Sequence, residues 1–312
     1  MTMRTAFLFP GQGSQEVGMG KELAESESAA RRVFEEADRV LGIRLASLCF
    51  EGPEEELRLT VNTQPAILAT SIAALRALES RGAHPDFVAG HSLGEYSALV
   101  AAGSLQFEDA LRAVRKRGLY MQEAVPRGEG AMAALLGINI EIVEALCAEA
   151  AELGVCAPAN INSPNQTVIA GHRSAVERAV DLAKAKGAKR AVMLAVSAPF
   201  HCELMKPAAE KLETVFRETV FSDLKVPLVT NVDAEVTTSG AGARDSLLRQ
   251  VASPVRWSAS ITRLLDEGVT RFVEVGPGKV LSGLVRQISR QCQIMNVEDM
   301  QSLDATAAAL GQ

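Results

Sequence analysis

Ser92 lies between two glycines in the stretch Gly90-His91-Ser92-Leu93-Gly94, at the join between a short apolar run and a helical pattern. In that setting Gly-x-Ser-x-Gly has a mechanical meaning. The serine rides a sharp strand-to-helix turn, the glycines let neighbouring backbones approach, and the hydroxyl is left at the carboxyl edge of a sheet. The next amide, Leu93 N–H, then falls at a helix N-terminus, where the dipole favours an anion. Three fixed positions recur by chance in roughly one chain in ten of this length, so the strand before and the helix after carry the signal. The chemistry implied is nucleophilic catalysis through Ser92; the alternative is a structural turn.

A serine hydroxyl needs a base near neutral pH, and histidine is the usual one. The chain has four. His91 adjoins Ser92 and should project away from it, bracing the turn. His84 precedes Pro85 in a loop, and His172 opens a helix in a separate small unit. His201 follows Ser197-Ala198-Pro199-Phe200 and precedes a helix, so elimination makes it the base, with a helix-capping histidine as the alternative. The remaining requirement is an oxyanion donor. Pro10-Gly11-Gln12-Gly13 follows the first apolar run, and the Gln12 amide can join Leu93 N–H around a tetrahedral intermediate. Neither G-x-x-x-x-G-K-[ST] nor G-x-G-x-x-G is present, which argues against a phosphate cradle.

These residues must be positioned by an α/β chain with a mainly parallel sheet, because short apolar runs alternate with long helical patterns. Strands are expected at 5–9 and 86–89, a long helix at 62–81, a helix starting near Leu93 and another at 107–124. After the breaker Pro126-Arg127-Gly128-Glu129-Gly130 the order becomes β-α-β-β-α-β. Strands are expected at 131–136, 155–162, 167–170 and 190–196, with helices at 140–151 and 175–186. That is the ferredoxin-like order, inserted at 128–197. The larger pattern resumes with a helix at 203–219, strands near Leu228 and at 271–275, and a helix after Gly276-Pro277-Gly278.

With 312 residues, 47% of them hydrophobic, the chain can bury a large core. No apolar run approaches the ~20 residues of a membrane span, and the N-terminus lacks the pattern of a secretory signal, so a cytoplasmic location is expected. Five cysteines without paired or metal-like spacing read as reduced core filler. The net charge of −6 excludes the overall basic balance of a nucleic-acid binder. Local basic runs at Arg112-Arg115-Lys116-Arg117 and Lys184-Lys186-Lys189-Arg190 read as wet helix faces, with a dock for an acidic partner as the other reading.

Six blocks, taken together and in order, resemble one family. They are FPGQGSQ at 9–15, GHSLGEYSALVAAG at 90–103, RKRGLYMQEA at 115–124, NSPNQTVIAG at 162–171, PFH at 199–201 and EVGPGKVL at 274–281. The family is the malonyl-coenzyme A:acyl carrier protein transacylases of bacterial fatty-acid synthesis, with the related acyltransferase domains of polyketide synthases. The resemblance implies an α/β-hydrolase-like large subdomain, 1–127 and 198–312, around a ferredoxin-like small subdomain at 128–197. It implies Ser92 as the acyl-carrying nucleophile, His201 as its base, and Gln12 and Leu93 as the oxyanion hole. Gln250 matches the position whose main-chain carbonyl orients the histidine, and Arg117 the arginine that grips the free carboxylate of malonate. Such a grip suits a planar guanidinium, which offers parallel donors to a carboxylate; the alternative places Arg117 on a solvated helix. Phe200, directly before the histidine, accompanies malonyl rather than methylmalonyl use in the related domains.

The implied partners are malonyl-CoA and an acidic acyl carrier protein, with either Lys189-Arg190 or Arg286-Arg290 as its dock. No nucleic acid, membrane, metal or resident cofactor is expected, since coenzyme A enters as a substrate. The rival readings are a serine esterase or thioesterase and a non-catalytic carrier-protein scaffold. Hydrolases of that type run Ser, acid, then a late histidine. Here His201 is the last histidine and over a hundred residues follow it.

Overall fold

A computed structural model describes residues 3–196 and 198–311; Met1, Ser197 and Gln312, where the expected segment limits fall, lie outside them. Ten strands are present among the described residues: β1 Arg4–Phe9, β2 Phe87–Gly90, β3 Gly130–Leu136, β4 Cys156–Ser163, β5 Gln166–His172, β6 Arg190–Met193, β7 Leu228–Val229, β8 Val236–Thr237, β9 Val269–Val275 and β10 Gln293–Val297. β1 is buried at every residue after its first, as a parallel strand covered on both faces must be. It pairs in parallel with β2 on one side and β9 on the other. The full order is β10-β9-β1-β2-β7-β8, parallel except for the last strand.

The second sheet, β4-β5-β3-β6, is antiparallel. Its helices, Ile140–Ala150 and Arg173–Ala185, bury Val143, Leu146, Val176 and Val180 against Ala133, Leu135 and Ile169 of the strands. This is the ferredoxin-like order, so the fold class is the expected one: an α/β unit with a mainly parallel sheet and a small antiparallel companion. The two are stitched by backbone: Val255 N–H donates to Ala159 O at 2.8 Å, and Ile161 N–H to Val255 O at 2.9 Å.

Helix Thr60–Glu79 is buried on nearly every side, which explains its weak amphipathic pattern; it begins two residues before the expected 62. The helix expected over 203–219 is a 3₁₀ turn, Glu203–Met205, followed by an α-helix Lys206–Arg217 with Pro207 in its first turn, where a missing N–H costs nothing. The strand expected to reach Val196 ends at Met193. Helix Ser28–Leu41 was not anticipated, although Ala30, Val33, Phe34 and Ala37 give it a buried stripe. Helices Gly240–Gln250, Trp257–Asp266 and Met300–Leu310, with strand β10, were also not anticipated. No helix among the described residues is long and apolar enough to cross a membrane.

Candidate active site

The turn after β2 is the first element of the site. Ser92 holds φ at 53°, a left-handed value that costs an ordinary residue about 1–2 kcal/mol. Helix Gly94–Ala101 begins two residues later and packs back over the strand ends. A Cβ at Gly90 would collide with the Gly94 carbonyl, and one at Gly94 with the Phe9 carbonyl oxygen, so both positions require glycine. Ser92 N–H donates to Asn231 Oδ1 at 2.7 Å, and Asn231 Nδ2 donates to Gly90 O at 2.7 Å, tying the turn to the chain after β7.

His201 Nε2 lies 2.7 Å from Ser92 Oγ, and its Nδ1 lies 2.8 Å from the main-chain carbonyl of Gln250. A carbonyl oxygen only accepts, so Nδ1 carries the proton and Nε2 presents its lone pair to the serine hydroxyl. Burial first, and the Arg117 charge second, hold the imidazole down to about 3, which keeps it neutral.

Arg117 corrects the wet-face reading of its basic run. Arg112 and Lys116 are exposed, but Arg117 is only 2% exposed, turned inward from helix Phe107–Glu123. Its Nη2 donates to Ser92 Oγ at 3.1 Å and to Gln250 Oε1 at 2.9 Å; its Nη1 donates to Gln64 Oε1 at 2.9 Å. The guanidinium carbon stands 5.6 Å from the Tyr96 ring centroid, a cation–π contact.

The structure therefore brings Ser92, His201, Arg117 and Gln250 into direct contact. Gln12, Leu93 and Phe200 line the same cleft, with Asn160, Asn162, Gln166 and Val168 of the antiparallel sheet facing them. Among the described residues, no hydrogen bond occupies the backbone amides of Gln12 or Leu93. His91 points away from the serine, as expected: its Nε2 sits 2.9 Å from Asn162 Oδ1 and its ring packs on Trp257. His172 lies outside the cleft, where its Nδ1 accepts from Val155 N–H at 2.9 Å.

Three residues of this network escaped the sequence reading: Gln64, Asn231 and Glu95. Gln64 is a buried amide in a helix that also buries Thr60, Thr63, Thr70 and Ser71, and Asn231 lies two residues after strand β7. Glu95 is fully buried; burial pushes its carboxyl up to about 7, opposed by hydrogen bonds from Gln250 and Asn231 and by the Arg117 charge. Its signal was a carboxylate in the first turn of a helix that carries no other charged residue.

A strained serine between strand and helix, a neutral histidine on its hydroxyl and free amides beside it define an acyl-transfer site on an α/β fold. The acyl transferase domain family matches residues 6–307, and the chain belongs to that family. It is 54% identical over 308 residues to the malonyl CoA-acyl carrier protein transacylase of Bacillus subtilis, covering 98% of this chain and 97% of that one. Its fold superposes on the malonyl CoA-acyl carrier protein transacylase of Coxiella burnetii with TM-score 0.97 and 43% identity, covering 100% of this chain and 99% of that chain. The structure of a type II polyketide synthase acyl-carrier protein in complex with its malonyl-transacylase matches with TM-score 0.96 and 46% identity over 98% of this chain and 99% of that chain.

Proposed function

We propose that this acyltransferase moves the malonyl group of malonyl-CoA to the phosphopantetheine thiol of an acyl carrier protein, by a ping-pong route through an ester on Ser92. The supporting observation is the Arg117 Nη2 to Ser92 Oγ distance of 3.1 Å in a buried pocket. Malonate places its free carboxylate one methylene from the thioester carbonyl. A guanidinium that touches the nucleophile therefore suits a short diacid whose second carboxylate must sit beside the attacked carbon.

In the first half, His201 Nε2 takes the Ser92 proton as Oγ attacks the thioester carbonyl, and the oxyanion faces the Leu93 and Gln12 amides. Collapse breaks the C–S bond, and the departing thiolate takes the proton back from the imidazolium, giving free coenzyme A and malonyl-Ser92. In the second half the carrier thiol gives its proton to His201, attacks the ester, and Ser92 Oγ recovers the proton. The cycle closes on these residues, so coenzyme A enters as substrate and no resident cofactor is called for.

A hydrolase of the related type would back its histidine with a carboxylate; the partner here is the Gln250 carbonyl. A neutral partner stabilises the imidazolium less, and the resulting weak base favours a thiol, a far stronger acid than water, as the second nucleophile. The carrier is expected to be acidic. Lys189, Arg190, Arg286 and Arg290 are exposed and form no ion pair among the described residues, which suits such a dock. We take the reaction to be cytoplasmic. Mixing the chain with malonyl-CoA and phosphopantetheinylated carrier tests the proposal: malonyl-carrier thioester should accumulate, whereas free malonate as the main product would refute it.

A further inference from the structure

The Glu95 carboxyl and the Arg117 guanidinium are removed from water without touching each other. Glu95 is 0% exposed and Arg117 2% exposed, and among the described residues neither forms an ion pair. Charged groups buried so completely ordinarily have a direct partner. What joins these two is one amide: Gln250 Nε2 donates to Glu95 Oε2 at 2.9 Å, and Gln250 Oε1 accepts from Arg117 Nη2 at 2.9 Å. The same Glu95 oxygen accepts Asn231 N–H at 3.1 Å, and Asn231 Oδ1 in turn accepts Ser92 N–H. Every other acceptor on the guanidinium is neutral: Gln64 Oε1 and Ser92 Oγ.

We infer that Glu95 is a positioning residue of the substrate-carboxylate subsite, supplying through the Gln250 amide the negative charge that holds Arg117 in place beside Ser92. The inference rests on the proposed function and adds to it how the guanidinium stays available. A direct Glu95–Arg117 pair would saturate the donors with a permanent carboxylate. With the amide between them, the charge is balanced at one remove, and the amide is polarised at both ends. Arginine has five N–H donors, and three acceptors are engaged here, so capacity remains for an arriving carboxylate. The Glu95 carboxylate is not spent on capping its own helix, because the groups that donate to it, Asn231 N–H and Gln250 Nε2, come from other elements.

Glu95→Gln keeps the shape and an acceptor oxygen for Asn231 and Gln250 while deleting the charge. Glu95→Asp keeps the charge on a shorter stem. In the full chain, at a pH above the value of about 7 to which burial raises the Glu95 carboxyl, Ser92 loading is measured from malonyl-CoA and from acetyl-CoA, and the ratio of the two kcat/KM values is compared. Glu95→Gln should lower the malonyl-to-acetyl ratio by about tenfold, mainly through the KM for malonyl-CoA, because the compensating charge is lost. Glu95→Asp should hold the ratio within about threefold of the parent, since the charge remains. A Glu95→Gln ratio equal to the parent's, or a Glu95→Asp ratio as low as that of Glu95→Gln, would overturn the inference. Should Glu95→Gln not fold, the Glu95→Asp ratio decides alone: near the parent value it supports the charge role, and about tenfold down it refutes it. A parent chain that never loads malonyl refutes the transacylase reading itself, and this inference with it.

Discussion

Ser92 and His201 stand 2.7 Å apart, and both hold their backbones in the left-handed region, at φ 53° and 61°. Neither is glycine, so the fold stores strain on both sides of the same hydrogen bond. Each is locked by a partner far along the chain: Ser92 N–H by Asn231, and His201 Nδ1 by the Gln250 carbonyl. The serine hydroxyl and the imidazole are thus aligned at folding, before any substrate arrives.

The elbow depends on close backbone approach at Gly94. Gly94→Ala forces a methyl group into the Phe9 carbonyl oxygen, and the strand or the helix must move. The expected loss is about 2 kcal/mol or more of stability, read as a lowered unfolding midpoint, with Ser92 acylation impaired at temperatures where the variant stays folded. A variant with parental stability and rate would show that the helix does not press on the strand as described.

Arg117→Ala should abolish the preference for malonyl over acetyl groups. Removing one partner of a buried charge pair typically costs about 3–5 kcal/mol, so the malonyl-to-acetyl ratio of kcat/KM should fall by about a hundredfold or more. An unchanged ratio would remove Arg117 from the carboxylate subsite.

The pH profile follows from the surroundings of His201. A general base works only when neutral, and burial, Arg117 and His91 all oppose its imidazolium, with burial the largest. The acid limb of Ser92 acylation, followed with acetyl-CoA, should therefore lie well below the ~6.5 of a free imidazole. In Arg117→Ala one opposing positive charge is gone, the imidazolium becomes easier to form, and the limb should move upward. A parental limb at the ordinary histidine position, or a downward shift in the variant, would contradict this.

Phe200 lines the cleft directly before His201 and is 8% exposed. The proposed malonyl preference assigns to this ring the space that an α-methyl group on the substrate would need. Phe200→Ser should raise methylmalonyl loading relative to malonyl, measured by competition between the two thioesters. Continued exclusion of methylmalonyl would place the discriminating wall elsewhere.

How much of this could be read from the chain depends on the range of each interaction. The antiparallel sheet was legible because its strands and helices follow one another closely and each keeps its own period. Ser92 and His201 were legible because few residue types can do their work. The contacts that escaped are long-range: Asn231 reaches Ser92 across 139 positions, and Gln250 reaches Glu95 across 155. No local pattern announces such pairs. Arg117 did leave a mark, since it continues the buried stripe of Ala110, Val114 and Met121, but the charges around it suggested a wet face until the helix could be oriented.

The most direct measurement is the intact mass of the chain after brief exposure to malonyl-CoA, with peptide mapping of any adduct. One malonyl group should appear on Ser92, be absent from Ser92→Ala, and disappear when a carrier bearing a free phosphopantetheine thiol is added. An adduct on another residue, or a Ser92 adduct lost to water as fast as to the carrier thiol, would contradict transfer through this serine.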